Sequence, residues 1–233
     1  VYDPSTGLLP SEVCDPWSGF VNNAGPGGVV GGVLRLGSAT AGEYYFYQQP
    51  ATGLVFPDTI SVEFEVQRLS GSDADAAFSS CQVRVNPTSS TSVSLSIEDG
   101  YVQVVEGDSG LGQQVSVPTT DTFHTYRMVV VRDTGATDVY YDGSLIAQGT
   151  AQSATPPAGE GIAFGDVTST ESGTSDWRRF EHNASRTICD GGGGNLVVGT
   201  NLFIGANATF DNIDILPGTS LSTHGFILAV TQD

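Results

Sequence analysis

The stretch Thr59-Ile60-Ser61-Val62-Glu63-Phe64-Glu65-Val66-Gln67 alternates apolar and polar residues without a break. A strand turns successive side chains to opposite faces. Ile60, Val62, Phe64 and Val66 therefore share one face, and Ser61, Glu63, Glu65 and Gln67 the other. Val93, Leu95 and Ile97 repeat the pattern. A sheet built this way must cover its apolar side with a second layer, which points to two sheets packed face to face.

Further strand-like runs follow at short spacing: 33–36, 43–48, 60–67, 81–86, 92–98, 101–106, 124–132, 137–142, 144–148 and 161–165. Asp99-Gly100 and Asp142-Gly143 read as two-residue hairpin turns, where Gly accepts a positive φ. No stretch longer than two helical turns carries a 3.6-residue period, so helix is expected to be nearly absent. The 30 Gly and 47 Ser plus Thr are scattered between Val, Ile, Tyr and Phe runs, as in an all-β chain rich in turns. So many strands in 233 residues suit an antiparallel jelly-roll β-sandwich better than an immunoglobulin-like domain of about 100 residues. Residues 1–32 are turn-rich and read as a surface wrap. Asp190-Gly191-Gly192-Gly193-Gly194 marks a break, after which 195–199, 201–204, 208–216 and 225–231 read as strands. The expected organisation is a sandwich over 1–185, with 186–233 as an appended β segment packed on the same domain.

Charge narrows the partners. The 26 acidic residues face only eight bases, all arginine, for a net charge of −18. Charged residues are 15% of the chain, against roughly 25% in ordinary soluble domains. The charge thus reflects missing bases rather than accumulated acids. Without a basic cluster there is no electrostatic footprint for nucleic acid and no attraction to anionic lipid. The longest apolar runs, Met128–Val131 and Phe226–Val230, fall far short of the ~20 residues of a membrane span.

Phe123-His124-Thr125-Tyr126-Arg127-Met128-Val129-Val130, followed by Val139-Tyr140-Tyr141-Asp142-Gly143-Ser144-Leu145-Ile146, resembles the paired strands of laminin-G-like jelly rolls. These belong to the concanavalin A-like lectin and glucanase superfamily. Gly161–Asp166 and Ser175-Asp176-Trp177-Arg178-Arg179-Phe180 continue the likeness, the latter resembling the closing strand of that fold. The resemblance covers 60–180. It implies a jelly roll and leaves function open, since the fold hosts lectins, glycosidases, lyases and structural modules. In glucanases of the superfamily the Asp of the closing strand ligates a structural calcium, and Asp176 stands at the matching place. Calcium takes hard oxygen ligands, so the resemblance implies a structural calcium at Asp176. Asp73, Asp75, Asp211 and Asp214 are looser acidic candidates.

Glu63 and Glu65 lie two apart on one strand, with Cα atoms about 6.5–7 Å apart. If the polar face is a groove, that spacing suits a glycosidase acid and nucleophile, with Arg84 and Arg127 on neighbouring strands. Cross-strand Glu–Arg pairing explains the same residues structurally. The superfamily's glucanase motif, Glu-x-Asp followed by a further Glu, is absent, as are a Gly-x-Ser-x-Gly elbow, HExxH and CxxC. His124 alternates with Tyr126 and Met128 and reads as a packed or rim histidine. In Glu43-Tyr44-Tyr45-Phe46-Tyr47-Gln48-Gln49, one pair of aromatics belongs to the core and the other can stack sugar rings. The side holding Tyr45, Tyr47 and Gln49 is taken as the binding side, extended by Trp17, Tyr140 and Trp177. Cys14 and Cys189 can close a disulfide, or all three cysteines can be free thiols.

The expected function is a secreted or surface carbohydrate-binding or adhesion module without catalysis. It would bind neutral polysaccharide, because a groove lined by Glu63 and Glu65 repels acidic glycans. The alternatives are a polysaccharide-active enzyme using Glu63, Glu65, Arg84 and Arg127, and a self-associating surface-layer or filament subunit pairing through exposed strands.

Overall fold

A computed structural model describes residues 2–11, 17–22, 27–38, 43–50, 54–71, 79–155, 160–166, 172–186, 195–198, 202–203, 208–210, 212–215, 221–222 and 228–230. Among these the only helical turn is η1 (Pro4–Thr6), capped by the Asp3 carboxylate, which accepts from the Ser5 N–H. The strands of the first half are β1 (Ser18–Asn22), β2 (Gly28–Val30), β3 (Val33–Ser38), β4 (Tyr44–Pro50), β5 (Leu54–Val55), β6 (Thr59–Gly71), β7 (Gln82–Thr88), β8 (Thr91–Glu98), β9 (Tyr101–Glu106) and β10 (Gly110–Ser116). Then come β11 (His124–Val131), β12 (Ala136–Tyr141), β13 (Ser144–Thr150), β14 (Gln152–Ser153), β15 (Gly161–Asp166), β16 (Gly173–His182) and β17 (Ser185–Arg186). The last are β18 (Asn195–Val198), β19 (Leu202–Phe203), β20 (Ala208–Phe210), β21 (Asn212–Ile215), β22 (Leu221–Ser222) and β23 (Leu228–Val230).

The chain forms two compact units, one of 1–51 with 56–183 and one of 52–55 with 184–233. The first is the antiparallel sandwich that the alternation requires. One sheet has eight strands, in the order β1-β4-β15-β7-β8-β9-β10 with β14 beside β8. The other has seven, in the order β13-β12-β11-β6-β16-β3-β2. Both Asp-Gly turns form: Gly100 and Gly143 hold φ of 77° and 82°.

Ile60, Val62, Phe64 and Val66 are buried on the inner side of the seven-stranded sheet, as their alternation dictates. Val83, Val85, Val93, Leu95, Ile97, Val102 and Val104 face them from the eight-stranded sheet. Aromatic rings knit the layers together: Phe164 of β15 lies 4.2 Å from Phe180 and 5.0 Å from Trp177 of β16, and Trp17 stands edge-on to Phe164 at 5.0 Å. One end of the interior is polar. Arg68 Nη2 meets Glu98 Oε2 at 3.3 Å with both side chains buried. Nearby, burial pushes the Cys81 thiol pKa up to about 12, so it stays a neutral, buried free cysteine.

In the second unit β5 pairs antiparallel with β17. The remaining strands pair in parallel: β18 with β21, β19 with β22 and β20 with β23. Two successive passes of the chain are thus stacked strand on strand, like two coils of a solenoid. The run expected as one strand over 208–216 is two, β20 and β21. Asn195-Leu196-Val197-Val198 stands in register with Asn212-Ile213-Asp214-Ile215, a short internal repeat that carries the stacking. No helix among the described residues is long and apolar enough to cross a membrane.

Candidate functional site

The sandwich has two outer faces, and the structure divides the expected groove residues between them. Glu63, Glu65 and Arg127 stand on the outer side of the seven-stranded sheet. Arg127 lies opposite Glu63, and Thr125 opposite Glu65. Arg84 lies between Val83 and Val85, whose side chains enter the core, so it faces outward from the other sheet. The single groove holding all four residues does not form, because β6 and β7 belong to different layers.

The outer face of the seven-stranded sheet is an ion-pair ladder. Arg178 meets Glu65 at 3.3 Å, and Arg179 bridges Glu63 at 3.7 Å and Glu181 at 2.7 Å. Arg127 covers the Tyr140 ring at 4.3 Å, and Arg178 covers Phe123 at 3.8 Å. Two shallow depressions open here. One, of about 390 Å³, includes Asp3, Glu65, Arg178 and Arg179; the other, of about 210 Å³, includes Glu63, Arg127, Glu181 and His182. Each acid of this ladder has an arginine partner, as expected of cross-strand pairs on a solvated sheet.

The aromatic strand is turned the other way from the sequence expectation. Tyr47 is 1% exposed and packs on Phe164 at 5.9 Å, and Trp17 is 3% exposed among Phe164, Phe180 and His182. Burial, chiefly, together with the 3.0 Å contact to the Tyr45 hydroxyl, drives the Tyr47 pKa far up. Gln49 is buried against His182 Nε2 at 2.9 Å, and Trp177 is fully buried, its Nε1 donating to Ser175 Oγ. Trp17, Tyr47, Gln49 and Trp177 are therefore core rather than sugar platform, and Tyr140 lies under Arg127 on the opposite layer. The outward member of β4 is Phe46, which stacks on Phe20 at 5.0 Å with the rings 13° apart. Phe20 is 40% exposed.

That pair begins a row across the eight-stranded sheet. Phe20, Phe46, Gly165, Gln82, Ser96 and Gln103 stand side by side on successive strands. The adjacent row is Gln48, Ala163, Arg84, Ser94 and Val105. At its crossings with these rows β15 contributes only Gly165 and Ala163, so nothing larger than a methyl rises from it. Small residues of β15 thus lie between Phe46 and Gln48 of β4 and Gln82 and Arg84 of β7, but this part of the face is covered: Gln48, Gln82, Ser94, Ser96, Gln103 and Ala163 are each 7% exposed or less. Among the described residues no carboxylate stands in either row.

The polar groups of this face are only partly satisfied. Gln82 Nε2 donates to Ser96 Oγ at 3.1 Å, while buried Gln82 Oε1 has no partner. Arg84 Nε donates to Ser94 Oγ at 3.3 Å. Burial lowers the Arg84 pKa from its usual value, and Asp108 pulls it the other way. Glu98 shares the parity of Ser94 and Ser96 on β8, but Arg68 takes its carboxylate.

Both Asp176 oxygens accept from Arg35, Oδ1 from Nε and Oδ2 from Nη2, each at 2.7 Å. The hydrogen bonds and charge of Asp176 raise the Arg35 pKa. At the place where the resemblance implied calcium, Asp176 is thus held by the Arg35 guanidinium. No cluster of three or more His, Cys, Asp or Glu among the described residues suits a metal. Cys14, Cys189, Asp73, Asp75 and Asp211 lie outside the described residues, as does the side chain of Asp214. His124 is a rim residue, its Nδ1 2.8 Å from Asp142 and its Nε2 3.0 Å from Asp121, stacked on Tyr141 at 4.7 Å.

A scan of protein-family models and a search of curated proteins return no match. Solved structures do share the fold. A sialidase superposes with a TM-score of 0.53 at 12% identity over 81% of this chain, which spans 19% of that protein's length. The cellulose induced protein Cip1 superposes with a TM-score of 0.50 at 11% identity, covering 80% of this chain and 98% of its own. The chain thus shares the antiparallel jelly-roll β-sandwich fold of these structures.

Proposed function

We propose that this protein is a non-catalytic carbohydrate-binding module whose ligand docks on the Phe20–Phe46 stack at the β1–β4 edge of the eight-stranded sheet. The exposed Phe20 ring, stacked on Phe46 at 5.0 Å with the planes 13° apart, carries this reading. Phe46 and Phe20 offer a ring face for the apolar side of a sugar. An acid and nucleophile flanking the scissile bond are what glycoside hydrolysis needs, and the two rows hold neither. A polysaccharide ligand fits an extracellular or cell-surface setting.

The experiment is a pull-down on a panel of insoluble polysaccharides, with released reducing ends and unsaturated products measured in the same tubes. Binding without product, weakened by Phe46→Ser and unchanged in Glu63→Gln, is the expected result. Product release that Glu63→Gln abolishes would make the protein an enzyme of the opposite face.

A further inference from the structure

The two flanks of the sandwich end differently. On one, β13 is tied across to the other sheet: the Gln148 N–H donates to Gln113 Oε1 at 3.0 Å, and the Thr150 N–H to Glu106 Oε1 at 2.8 Å. On the opposite flank the seven-stranded sheet ends in β2, only three residues long. The eight-stranded sheet ends there in β1, and among the described residues β4 is its only strand neighbour. Edge strands are normally guarded by a charge, a proline, a bulge or extreme shortness. Ser18-Gly19-Phe20-Val21-Asn22 carries none of these: it is uncharged, and its register with β4 runs unbroken over five residues. Phe20 is 40% exposed on the outer side and Val21 50% exposed on the other, so this edge is apolar on both faces.

We propose, building on the glycan-binding reading above, that β1 pairs antiparallel with β1 of a second copy about a two-fold axis at Phe20, and that this pairing completes the glycan site. The strand is complementary to itself in that register. Phe20 meets Phe20 of the second copy, Gly19 meets Val21, and Ser18 meets Asn22, a hydroxyl against an amide. On the outer face two stacked rings become a row of four, Phe46 and Phe20 from each copy. At about 4.8 Å per strand the row is about 14 Å long, against the 5.0 Å of the stack in one copy. On the other face Gly19 has no side chain, and a Cβ there would already stand 3.1 Å from the Tyr47 ring. The space beside it is left to Val21 of the second copy, whose exposed side chain then loses water. A two-fold contact of this kind closes on itself, so assembly stops at the dimer rather than running on as a filament. A glycan lying along the row touches both copies at once, which strengthens binding without any new kind of contact.

The test is sedimentation of the full chain from micromolar to millimolar concentration, beside pull-downs on insoluble cellulose, chitin and β-1,3-glucan. Wild type is expected to dimerise and Val21→Lys to stay monomeric with an unchanged melting temperature. Raising salt from about 0.05 to about 0.5 M should tighten the dimer, because it screens the repulsion between two copies of charge −18. Opposed residues of an antiparallel pair have Cα atoms about 4.5–5.5 Å apart, within disulfide reach. Phe20→Cys should therefore cross-link two copies through the substituted positions, read by peptide mass, which keeps the question answerable if Val21→Lys fails to fold. The Val21→Lys monomer should bind polysaccharide about tenfold or more weakly than wild type. No dimer at millimolar concentration, a dimer that salt weakens, or one that survives Val21→Lys without the Phe20→Cys cross-link overturns the pairing. A Val21→Lys monomer that binds as tightly as wild type overturns the completed site and leaves glycan binding intact. If wild type dimerises as described yet binds none of the three polymers, the glycan-binding reading falls, and the completed site with it.

Discussion

Replacing Glu98 by Ala asks whether the one acid on β8 is structural or poised at the groove. Its carboxylate lies 3.3 Å from Arg68 Nη2, with each side chain 1% exposed. The backbone around the pair is tied as well: Arg68 N–H donates to Thr119 O, and Thr119 Oγ1 donates to Glu98 O at 2.6 Å. A Cβ at Gly71 would come 2.3 Å from Arg68 Nη2, so the guanidinium has little room to swing away. Removing one partner of such a pair leaves an uncompensated buried charge and costs about 3–5 kcal/mol. At about 2–4 °C per kcal/mol for a chain this size, the melting temperature should fall by about 6–20 °C. Replacing both residues, Arg68→Met with Glu98→Leu, removes the desolvated charges together and should recover most of the loss. The assay is thermal and urea unfolding of wild type, both single variants and the double variant, read as a double-mutant cycle. A loss below about 1 kcal/mol for Glu98→Ala, or no recovery in the double variant, would refute the assignment. Below its melting temperature Glu98→Ala should bind glycan as wild type does.

Other consequences follow from the rim and the aromatic stack. The carboxylates of Asp121 and Asp142 outweigh the opposing burial and hold the His124 pKa above its ordinary value, beside the Tyr141 hydroxyl. Its contribution to stability is full below the unfolded value of about 6.5 and is lost as pH rises through the raised folded value. The melting temperature should therefore decline from pH 6 towards pH 8, and His124→Gln should flatten that slope. A chelator should leave the melting temperature unchanged, since Arg35 occupies both Asp176 oxygens; a chelator-induced drop would return that site to a cation. Arg35→Met should cost about 1–3 kcal/mol in denaturant unfolding by leaving the buried Asp176 carboxylate unpaired. Phe46→Ser should weaken polysaccharide binding about three- to tenfold without unfolding the protein, the scale of one aromatic contact.

The sandwich was legible because its signal is local. The alternation from Ile60 to Val66, the repeat at Val93, Leu95 and Ile97, and the two Asp-Gly turns each need only neighbours in sequence. β10 escaped notice because Gly110–Ser116 is a largely exposed edge strand with no apolar stripe. The candidate site was harder to read for a different reason. Period two separates Tyr45 and Tyr47 from Phe46, but it cannot say which side is inside. Contacts with Phe164 and Trp17, far away in sequence, decide that. Likewise Glu63 and Arg84 both lie on polar strand faces, and only the layer assignment of β6 and β7 shows that they look in opposite directions. The alternation of small and large residues in Gly161-Ile162-Ala163-Phe164-Gly165 left a trace of which side of β15 enters the core. The parallel stacking of the second unit was written in the Asn195 and Asn212 repeat.

The most direct measurement is an amide chemical-shift titration of the isotope-labelled protein with soluble oligosaccharides of the polymer it binds. The account predicts shifts centred on Phe20, Phe46 and the neighbouring amides of β1 and β4, with the Glu63, Arg127 and Arg179 amides unmoved. Shifts concentrated on β6, β11 and β16 would place the ligand on the ion-paired face of the seven-stranded sheet and contradict it.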